Sequence, residues 1–553
     1  MNNKQLPRNQ WDDRPVVCEL PYNAQVTPYL RIKAPAGKII DIRTDHYTAG
    51  GPYNFRAEYV TKEGLQEYES LGWMNGHKVI YGIPHGVQIL SLKYRETGYD
   101  TEFAGAFECD DEFFNGLWQK AARTLYVTMR DTYMDCPDRE RAQWWGDAVI
   151  EMGESFYALD TKSHLLAKKG MYELANWQRD SGVLYSPIPG NYTQELPMQM
   201  LASVGWYGFW TYYLNTGDAE TIEYAYPAAK RYLDVWEIGD DGLVVPRKGD
   251  WTWGDWGENK DMRVLYNCWY YLALKGAAAI AEVTGNRDDI AGYAAKMRSI
   301  EENFDRAFWN GKEYRSAEHK GKTDDRANAM AAVAGLAGAD KHEKIKQVLA
   351  TQFYASPYVE KYVLEALFMM GEPQAAMERM KKRYGDIVVS GLTTLPELFA
   401  DTRQITGTNN HAWSGGPLTL LSQYAAGIAP VEAGYKVYQV RPQMGDLKAV
   451  RVQVASIVGE IDVSIEKKAN AFVLDLLSPK GAQAIICIPK DGVGEVMANG
   501  NVVWSDGKAL SEVEGVRFKC ESGDCYEFMA AAGKWTFEAC MESKPAVGQK
   551  GSL

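Results

Sequence analysis

The chain has 553 residues, of which 46% are hydrophobic and 24% charged, as is typical of folded globular proteins. This composition excludes a disordered, collagen-like or low-complexity chain, and the length predicts about three domains. The net charge of −13 repels phosphate groups, so neither nucleic acid nor an anionic membrane surface is expected as a partner.

Residues 1–108 are predicted to form a small β domain, because stretches such as KIIDIR and KVIYGI alternate apolar and polar side chains. No run reaches the ~20 apolar residues of a membrane span, and the opening MNNKQLPRNQWDD lacks the apolar core of a signal peptide. Eight scattered cysteines do not resemble a disulfide framework. The cytoplasm is therefore the expected compartment, and the alternative is a periplasmic or secreted protein whose leader has been removed.

Residues 109–428 are predicted to form a helical domain, because apolar residues recur there at i, i+3, i+4 and i+7. We identify twelve amphipathic segments, near residues 110–129, 146–161, 162–178, 194–215, 218–236, 260–284, 287–309, 324–337, 340–353, 358–370, 373–384 and 414–427. Gly217, Gly285 and Gly338 are predicted to end helices in the left-handed conformation. Twelve unlike helices without a fixed-period repeat indicate six hairpins closed into an (α/α)6 barrel, with a two-layer bundle as the alternative.

Residues 429–553 are predicted to form a C-terminal β-sandwich, because period-2 alternation returns in segments such as AVRVQVAS and EIDVSIEK. The predicted fold is therefore multidomain and mainly α. It consists of an (α/α)6 barrel flanked by an N-terminal β domain and a C-terminal β-sandwich.

Three loops between the predicted helices contain the residues best suited to chemistry. Residues 135–147, DCPDRERAQWWGD, combine ionised side chains and two Trp. Such a segment is not expected in a buried core, because buried charges are costly unless they are paired. Residues 249–257, GDWTWGDWG, hold three Trp, and a third region joins TTLPE at 393–397 to NNHAW at 409–413. The alternatives are a solvated turn with paired charges, structural Trp plugs and a structural histidine. In a barrel, the loops could meet at one pocket.

Two carboxylates flanking a sugar ring are what glycoside hydrolysis requires, one as acid and the other as base or nucleophile. Glu140 and Glu397 are the pair we select. Aromatic residues make up 12% of the chain, which suits a carbohydrate site and equally an aromatic-rich core. The seven His form no HExxH motif or His/Cys cluster, and no phosphate-binding loop or GxSxG motif is present, so neither a metal nor a cofactor is predicted.

The segment DCPDRERAQWWGD resembles the DCPQRDERLGWTGDA signature of glycoside hydrolase family 78, the α-L-rhamnosidases, with one residue fewer between the Arg and the catalytic Glu. The order of the other motifs is similar too: VGWYGFW with LNTGD, KGDW, a TTxxE loop, an Asn-His pair, and GIAPVEAGYKVYQVRP. The resemblance covers most of the chain from about residue 100 to residue 470.

The resemblance implies a bacterial inverting exo-glycosidase that releases terminal α-L-rhamnose from oligosaccharides, polysaccharides or glycosides. Carried over by motif, Glu140 would be the general acid and Glu397 the general base that activates water. Substrate binding would fall to Asp135, Arg139, Trp144, Asp147, Trp206, Trp251 and His411.

Two departures from the family pattern bear on which sugar is bound. Pro396 stands before Glu397 where the family loop usually reads TTxWE, and the WTWGDWG loop is unusual. The alternatives are a related (α/α)6 hydrolase for another sugar, a lyase, which the negative charge disfavours, and a catalytically silent carbohydrate-binding protein. A pure binding protein does not need two carboxylates, so the pair favours an enzyme. The expected partner is a saccharide or rhamnosylated small-molecule substrate. The sequence does not predict an oligomeric state.

Overall fold

The computed structural model describes residues 15–48, 54–190, 193–400, 407–505, 507–510 and 513–541. Within these ranges, no helix has both the length and the apolar character needed to cross a membrane. The opening MNNKQLPRNQWDD, used above to argue against an export signal, lies outside the described residues.

A six-stranded antiparallel sheet forms the N-terminal domain, in the order β3-β2-β5-β1-β4, with β6 also paired to β1. Its strands are β1 (Val16–Ala34), β2 (Ile39–Thr44), β3 (Ala57–Val60), β4 (Gly64–Glu69), β5 (Met74–Gly82) and β6 (Gln88–Thr97). Apolar residues from these strands pack into a small core of their own. The pairing of β1 with β5 shifts register between Glu19 and Ala24, and Asn23 in this irregular stretch contacts the helical domain.

The helical domain follows the predicted segments closely. Its helices are α1 (Glu112–Val127), α2 (Trp145–Ala158), α3 (His164–Asn176), α4 (Pro197–Val204), α5 (Thr211–Thr216), α6 (Ala219–Asp234), α7 (Met262–Thr284), α8 (Arg287–Phe308), α9 (Asp325–Ala334), α10 (His342–Thr351), α11 (Pro357–Met369), α12 (Pro373–Val388) and α13 (Gly416–Leu420). Two single π-helical turns, at 206–210 and 421–425, adjoin the shorter helices. The predicted helical segments are confirmed, with these interruptions.

Helix ends follow local side-chain chemistry. Gly217 ends α5 at φ 67°, and the side chain of Asp218 then accepts a hydrogen bond from the Thr221 N–H at the start of α6. The prediction for Gly338 is wrong. Gly335 ends α9 at φ 77°, whereas Gly338 has a φ of −66° and precedes a short 3-10 turn.

Helices buried on most sides alternate along the chain with helices buried on one face. The first kind comprises α2, α4, α7, α9, α11 and α13, and the second comprises α1, α3, α6, α8, α10 and α12. A helix that is buried all round belongs in the interior of a helical domain. The alternation therefore separates an inner set of helices from an outer set.

Two packed sheets form the C-terminal domain, as predicted. One has the order β16-β15-β14-β19-β12-β11-β10-β7 and the other β17-β18-β13-β9-β8. Their strands are β7 (Ala106–Cys109), β8 (Ile428–Pro430), β9 (Val437–Val440), β10 (Ala449–Ser456), β11 (Gly459–Lys467), β12 (Ala471–Ser478), β13 (Gln483–Pro489), β14 (Val493–Ala498), β15 (Asn501–Ser505), β16 (Lys508–Ala509), β17 (Val516–Ser522), β18 (Cys525–Ala530) and β19 (Gly533–Met541). The rings of Phe528 and Phe537 meet between the sheets, with centroids 5.8 Å apart.

The short strand β7 precedes the helical domain but pairs with β10 of the C-terminal domain. The chain therefore leaves the N-terminal sheet at the end of β6, earlier than the predicted boundary at residue 108. A four-residue strand carries too little side-chain pattern to be assigned to one sheet or another from sequence. The helical domain and the C-terminal sheets share one continuous hydrophobic core.

Candidate active site

The three loops identified from the sequence line one pocket of about 220 Å³. Its lining consists of Asp135, Arg139, Glu140, Trp144, Asp147, Leu196, Gln199, Trp251, Trp253, Trp256, Glu397, His411 and Trp413. Carboxylates, one guanidinium, one imidazole and indole rings therefore face a common space at one end of the helical domain.

The loop that carries Glu140 closes on itself just before α2. The Asp135 N–H donates to the Ala142 carbonyl at 2.9 Å, and the Ala142 N–H donates to Asp135 Oδ1 at 3.0 Å. Arg141 adopts a φ of 52°, and its guanidinium lies 3.5 Å from the centroid of the Trp73 ring in the N-terminal domain. These contacts fix the turn that presents Glu140 to the pocket.

Glu140 is the more exposed of the two selected carboxylates, with a side-chain exposure of 26%. Its Oε2 accepts a hydrogen bond from Trp144 Nε1 at 2.8 Å, and its Oε1 accepts one from Arg139. Both oxygens are thus engaged within the loop. A substrate could meet Glu140 only in place of one of these contacts, and the Arg139 contact is the one shared with a second carboxylate.

Glu397 is almost fully buried, with a side-chain exposure of 3%. Its Oε2 accepts the Thr408 N–H at 3.0 Å and lies 3.9 Å from His411 Nδ1. The backbone around it is held as well, because its N–H donates to the Thr408 carbonyl and its carbonyl accepts from Trp413 Nε1. The Thr408 N–H and the His411 imidazole thus face Oε2, where they can complement a negative charge.

Arg139 lies between the two carboxylates. One of its terminal nitrogens pairs with Glu140, and the other lies 3.8 Å from Glu397 Oε2. A planar guanidinium with donors on two sides is suited to bridging oxygen atoms in this way. Glu140 and Glu397 are therefore within reach of one small substrate.

His411 and Asp147 form a buried pair beside Glu397, with Nε2 and Oδ1 2.8 Å apart. Burial by itself lowers the pKa of His411, but the hydrogen bond to Asp147 and the charge of Glu397 outweigh it and raise that pKa. Burial also raises the pKa of Asp147, despite the pairing, and it raises the pKa of the neighbouring Asp135 to about 6. The pocket thus holds one imidazole and two carboxyl groups whose pKa values all lie above their ordinary values.

Indole rings form one wall of the pocket. Trp251 lies 6.1 Å from Trp253 and 5.9 Å from Trp256, measured between ring centroids. Trp253 stacks on Trp413 at 6.0 Å and 10°, and the His411 ring lies 4.2 Å from that of Trp413. Trp251 is the outermost of these rings, with an exposure of 38%.

Trp206 does not belong to this wall, and its prediction as a sugar-binding residue is corrected. It lines a second cavity, of about 330 Å³, where Lys275 Nζ lies 4.2 Å from its ring centroid. The reason is helix length. Leu196 and Gln199 reach the pocket from the start of α4, and Trp206 follows the far end of that helix, roughly 15 Å further along at 1.5 Å per residue.

The other predicted residues, Asp135, Arg139, Glu140, Trp144, Asp147, Trp251, Glu397 and His411, all line the pocket. Trp253, Trp256 and Trp413 were not predicted, although the clustering of Trp in residues 249–257 was a signal for the first two and Trp413 lies two residues after His411. Gln199 carried no such signal. Its Oε1 accepts the Gly146 N–H at 3.2 Å, and a Cβ at Gly146 would lie 2.7 Å from the Gln199 amide carbon.

The N-terminal β domain contacts the loops of the pocket through a buried polar network centred on Asp138. Asp138 accepts hydrogen bonds from Asn75 of β5 and from Asn410, each at 2.8 Å. Asn23 of β1 donates to Asn410 Oδ1 at 2.9 Å, and its N–H donates to Thr393 Oγ1 at 2.9 Å. One domain thus holds the loops that carry Glu140, Glu397 and His411.

Comparison with known proteins identifies the family. Residues 102–425 match the family model described as the bacterial alpha-L-rhamnosidase 6 hairpin glycosidase domain. The chain belongs to the bacterial α-L-rhamnosidase family. Residues 427–502 match the bacterial alpha-L-rhamnosidase C-terminal domain. The resemblance read from the Glu140 loop is confirmed, as is the six-hairpin glycosidase domain with a β domain on each side.

Curated relatives named alpha-L-rhamnosidase match most of this chain. A Formosa agariphila protein is 24% identical over 475 residues, which cover 79% of this chain and 48% of the relative. A Streptomyces avermitilis protein is 24% identical over 569 residues, which cover 92% of this chain and 52% of the relative. The chain therefore spans about half the length of these relatives.

Solved structures of α-L-rhamnosidases share the fold. The enzyme from Dictyoglumus thermophilum superposes with a TM-score of 0.81 at 19% identity, covering 97% of this chain and 63% of that structure. The Streptomyces avermitilis α-L-rhamnosidase complexed with L-rhamnose gives a TM-score of 0.78 at 19% identity, covering 97% and 53%. At these identities the likeness establishes the fold.

Proposed function

We propose that this protein hydrolyses terminal α-L-rhamnosides with inversion of configuration, using Glu140 as general acid and Glu397 as general base. The observation that carries the proposal is the placement of both carboxylates on one small pocket, with Arg139 between them. Glycoside hydrolysis needs two carboxyl groups on opposite sides of the scissile bond. We also propose that the alternating inner and outer helices form an (α/α)6 barrel, with this pocket at one end.

The different settings of the two carboxylates support the assignment of their roles. Glu397 is buried and faces a backbone N–H, an imidazole and a guanidinium, which suits a carboxylate that stays charged to activate water. Glu140 is partly exposed, which suits a group that must meet the departing oxygen. An inverting enzyme needs about 6.5–9.5 Å between the carboxyl groups, whereas a retaining enzyme needs about 5–5.5 Å.

The aromatic wall supports a terminal sugar as the substrate. Trp251, Trp253 and Trp256 close one side of a pocket whose volume, about 220 Å³, suits a single sugar residue. Indole rings cover the apolar face of a sugar, while Asp135, Arg139 and His411 offer hydrogen-bonding groups to its hydroxyls. Together with membership of the bacterial α-L-rhamnosidase family, this supports an oligosaccharide, polysaccharide or glycoside that ends in rhamnose as the proposed substrate class.

The test is a screen of nitrophenyl glycosides with α-L-rhamnoside first, followed by proton NMR of the released sugar. We expect hydrolysis of the α-L-rhamnoside, with β-L-rhamnose as the first product detected before mutarotation. First appearance of the α anomer would contradict the inverting mechanism. Binding of rhamnose without hydrolysis of any glycoside would instead indicate a carbohydrate-binding protein, and activity on a different glycoside would correct the sugar.

A further inference from the structure

Three side chains of the N-terminal β domain, Asp45, His46 and His77, form a cluster behind the catalytic loops. Each contributes one ligand-type atom, and these atoms all lie within 4.8 Å of one another. Asp45 Oδ2 lies 4.0 Å from His46 Nε2 and 3.7 Å from His77 Nδ1. Both distances exceed those of hydrogen bonds, so the three atoms surround a common space without satisfying one another.

His46 Nε2 is the atom that points most clearly to a ligand. The His46 side chain is buried, with an exposure of 3%, and Nε2 has no hydrogen-bond partner among the described residues. Buried polar atoms in folded proteins are nearly always paired, because leaving one unpaired costs free energy. A metal ion bound between His46, His77 and Asp45 would accept the lone pair of this nitrogen and so give it a partner.

The polar atoms of these residues that face away from the cluster already have partners. His46 Nδ1 lies 3.4 Å from Asn75 Nδ2 and 3.5 Å from Asp138 Oδ1, and His77 Nε2 lies 3.0 Å from Thr393 Oγ1. Asp45 Oδ1 accepts the backbone N–H groups of His77 and Lys78, at 2.9 and 3.0 Å, which leaves Oδ2 facing the cluster. Metal-binding histidines usually donate their second N–H to a carboxylate or another oxygen, and ligating carboxylates are hydrogen-bonded in turn.

We propose that Asp45, His46 and His77 bind one divalent transition-metal ion, with Zn²⁺ preferred. Two imidazoles and one carboxylate form a common zinc ligand set, and bonds of about 2.0–2.2 Å in tetrahedral geometry place ligand atoms roughly 3.3 Å apart. The two distances from Asp45 Oδ2, of 3.7 and 4.0 Å, must therefore shorten by roughly 0.4 and 0.7 Å, and the two imidazole nitrogens, which lie within 4.8 Å of each other, must approach as well. Asp45 and His77 are only partly buried, so water completes the coordination from the solvent side.

Binding the ion changes a contact to the Glu397 loop. Coordination through Nδ1 places the proton of His77 on Nε2, where Thr393 Oγ1 can accept it. The Thr393 N–H, which lies 3.1 Å from the same nitrogen and donates to it in the metal-free arrangement, then loses its acceptor. Thr393 precedes Glu397 by four residues, and Asp138 precedes Glu140 by two. The ion would thus connect the β domain to both catalytic loops.

The experiment measures Zn²⁺ on the full chain, produced without a histidine tag and stripped by dialysis against a chelator. Titration with Zn²⁺ against a chromophoric chelator gives stoichiometry and affinity, and Co²⁺ gives the visible absorption of a tetrahedral site. His46→Asn keeps an amide near Asp138 but removes the ligand atom Nε2. His77→Gln keeps a polar group near Thr393 but removes the ligand atom Nδ1. His85→Asn, at an exposed histidine of the same domain, is the control.

We expect one Zn²⁺ per chain in the unsubstituted protein and in His85→Asn, and affinity weakened at least ~100-fold in His46→Asn and His77→Gln. Asp138→Asn, which changes only an outer partner, should weaken binding by about 10–100-fold. Zn²⁺ should also raise the melting temperature of the unsubstituted protein, a comparison that needs no variant to fold. Absence of stoichiometric Zn²⁺ in the unsubstituted protein would overturn the proposal, as would Zn²⁺ affinities of His46→Asn and His77→Gln equal to that of the unsubstituted protein. These readouts do not depend on glycosidase activity.

Discussion

At the scale of single residues, the pocket separates buried ionisable groups from the indole rings that we propose cover the sugar. Glu397 and His411 are buried and held by several partners, whereas Trp251 reaches solvent at the edge of the pocket. Substitution at the edge should therefore change binding of the substrate without disturbing the carboxylates. Substitution of the buried groups should change both chemistry and stability.

Trp251→Ala tests the edge of the pocket. Loss of an aromatic wall in contact with the sugar is expected to lower kcat/KM on an α-L-rhamnoside by about 1–3 kcal/mol, or roughly 5–150-fold. Trp177 is the matched control, because it is similarly exposed, at 42%, and lies at the end of α3 away from the pocket lining. Steady-state kinetics of both variants make the comparison. Equal kinetics for Trp251→Ala and Trp177→Ala would show that Trp251 does not contact the substrate.

Asp135 should make stability depend on pH in an unusual direction. Burial raises its pKa from 3.8 to about 6 in the folded protein, so the unfolded chain gives up this proton at lower pH than the folded one. Between about pH 4 and pH 6 the folded state binds more protons at this site, and its contribution to the free energy of unfolding falls as pH rises. A gap of about two pH units corresponds to roughly 3 kcal/mol.

Urea unfolding of Asp135→Asn across pH 4 to 7 measures this effect. The asparagine side chain of this variant is neutral at every pH and can still accept the Ala142 N–H, so the variant should gain stability relative to the unsubstituted protein as pH rises. Asp240→Asn, at an exposed acid, should follow the unsubstituted protein. A stability difference between Asp135→Asn and the unsubstituted protein that stays constant across this range would contradict the assigned pKa.

At the scale of elements, β1 connects the N-terminal sheet to the loops that carry Glu397 and His411. Asn23 lies where the pairing of β1 with β5 shifts register, and its fully buried side chain donates to Asn410 beside His411. A register shift of this kind redirects a side chain out of the regular alternation of a strand. This strand therefore contacts the candidate active site although it belongs to another domain.

Asn23→Ala should weaken this coupling. Removal of the amide leaves Asn410 Oδ1 without its donor in a buried place, which is expected to cost about 1–3 kcal/mol of the free energy of unfolding. Because Asn410 adjoins His411, kcat should fall as well. Gln88→Ala, at an exposed position of β6 in the same sheet, is the control. Unfolding and kinetics of both variants test the coupling, and an Asn23→Ala protein that matches Gln88→Ala in both would refute it.

Helices and strands could be predicted from the sequence because their signals are local. Apolar periodicity located the helical segments, and left-handed Gly217 with Asp218 placed a boundary correctly. The misplaced features depend on non-local contacts. Strand β7 is assigned by its pairing with β10, and Trp206 faces a second cavity because of the length of α4. The Asp45–His46–His77 cluster could not be predicted from the sequence either. Asp45 and His46 follow β2 whereas His77 lies in β5, so the three residues form no motif of regular spacing.

At the scale of the whole molecule, both β domains contact the helical domain, but in different ways. The C-terminal sheets share the hydrophobic core of the helical domain, and Tyr157 of α2 donates to the Ile428 carbonyl at 2.9 Å. The N-terminal sheet has a separate core and contributes polar contacts to the loops. Family membership could be read from the Glu140 motif, whereas the convergence of its loop with the Glu397 loop required the fold.

Kinetics of Glu140→Gln and Glu397→Gln on two leaving groups test the central claim most directly. A general acid matters most for a poor leaving group, whereas a general base is needed in every turnover. We expect Glu140→Gln to lose nearly all activity on alkyl α-L-rhamnosides while keeping part of its rate on nitrophenyl α-L-rhamnoside, and Glu397→Gln to lose both alike. Equal losses on both substrates for Glu140→Gln, with Glu397→Gln near the unsubstituted rate, would contradict the assigned roles and direct attention to Asp135 or Asp147.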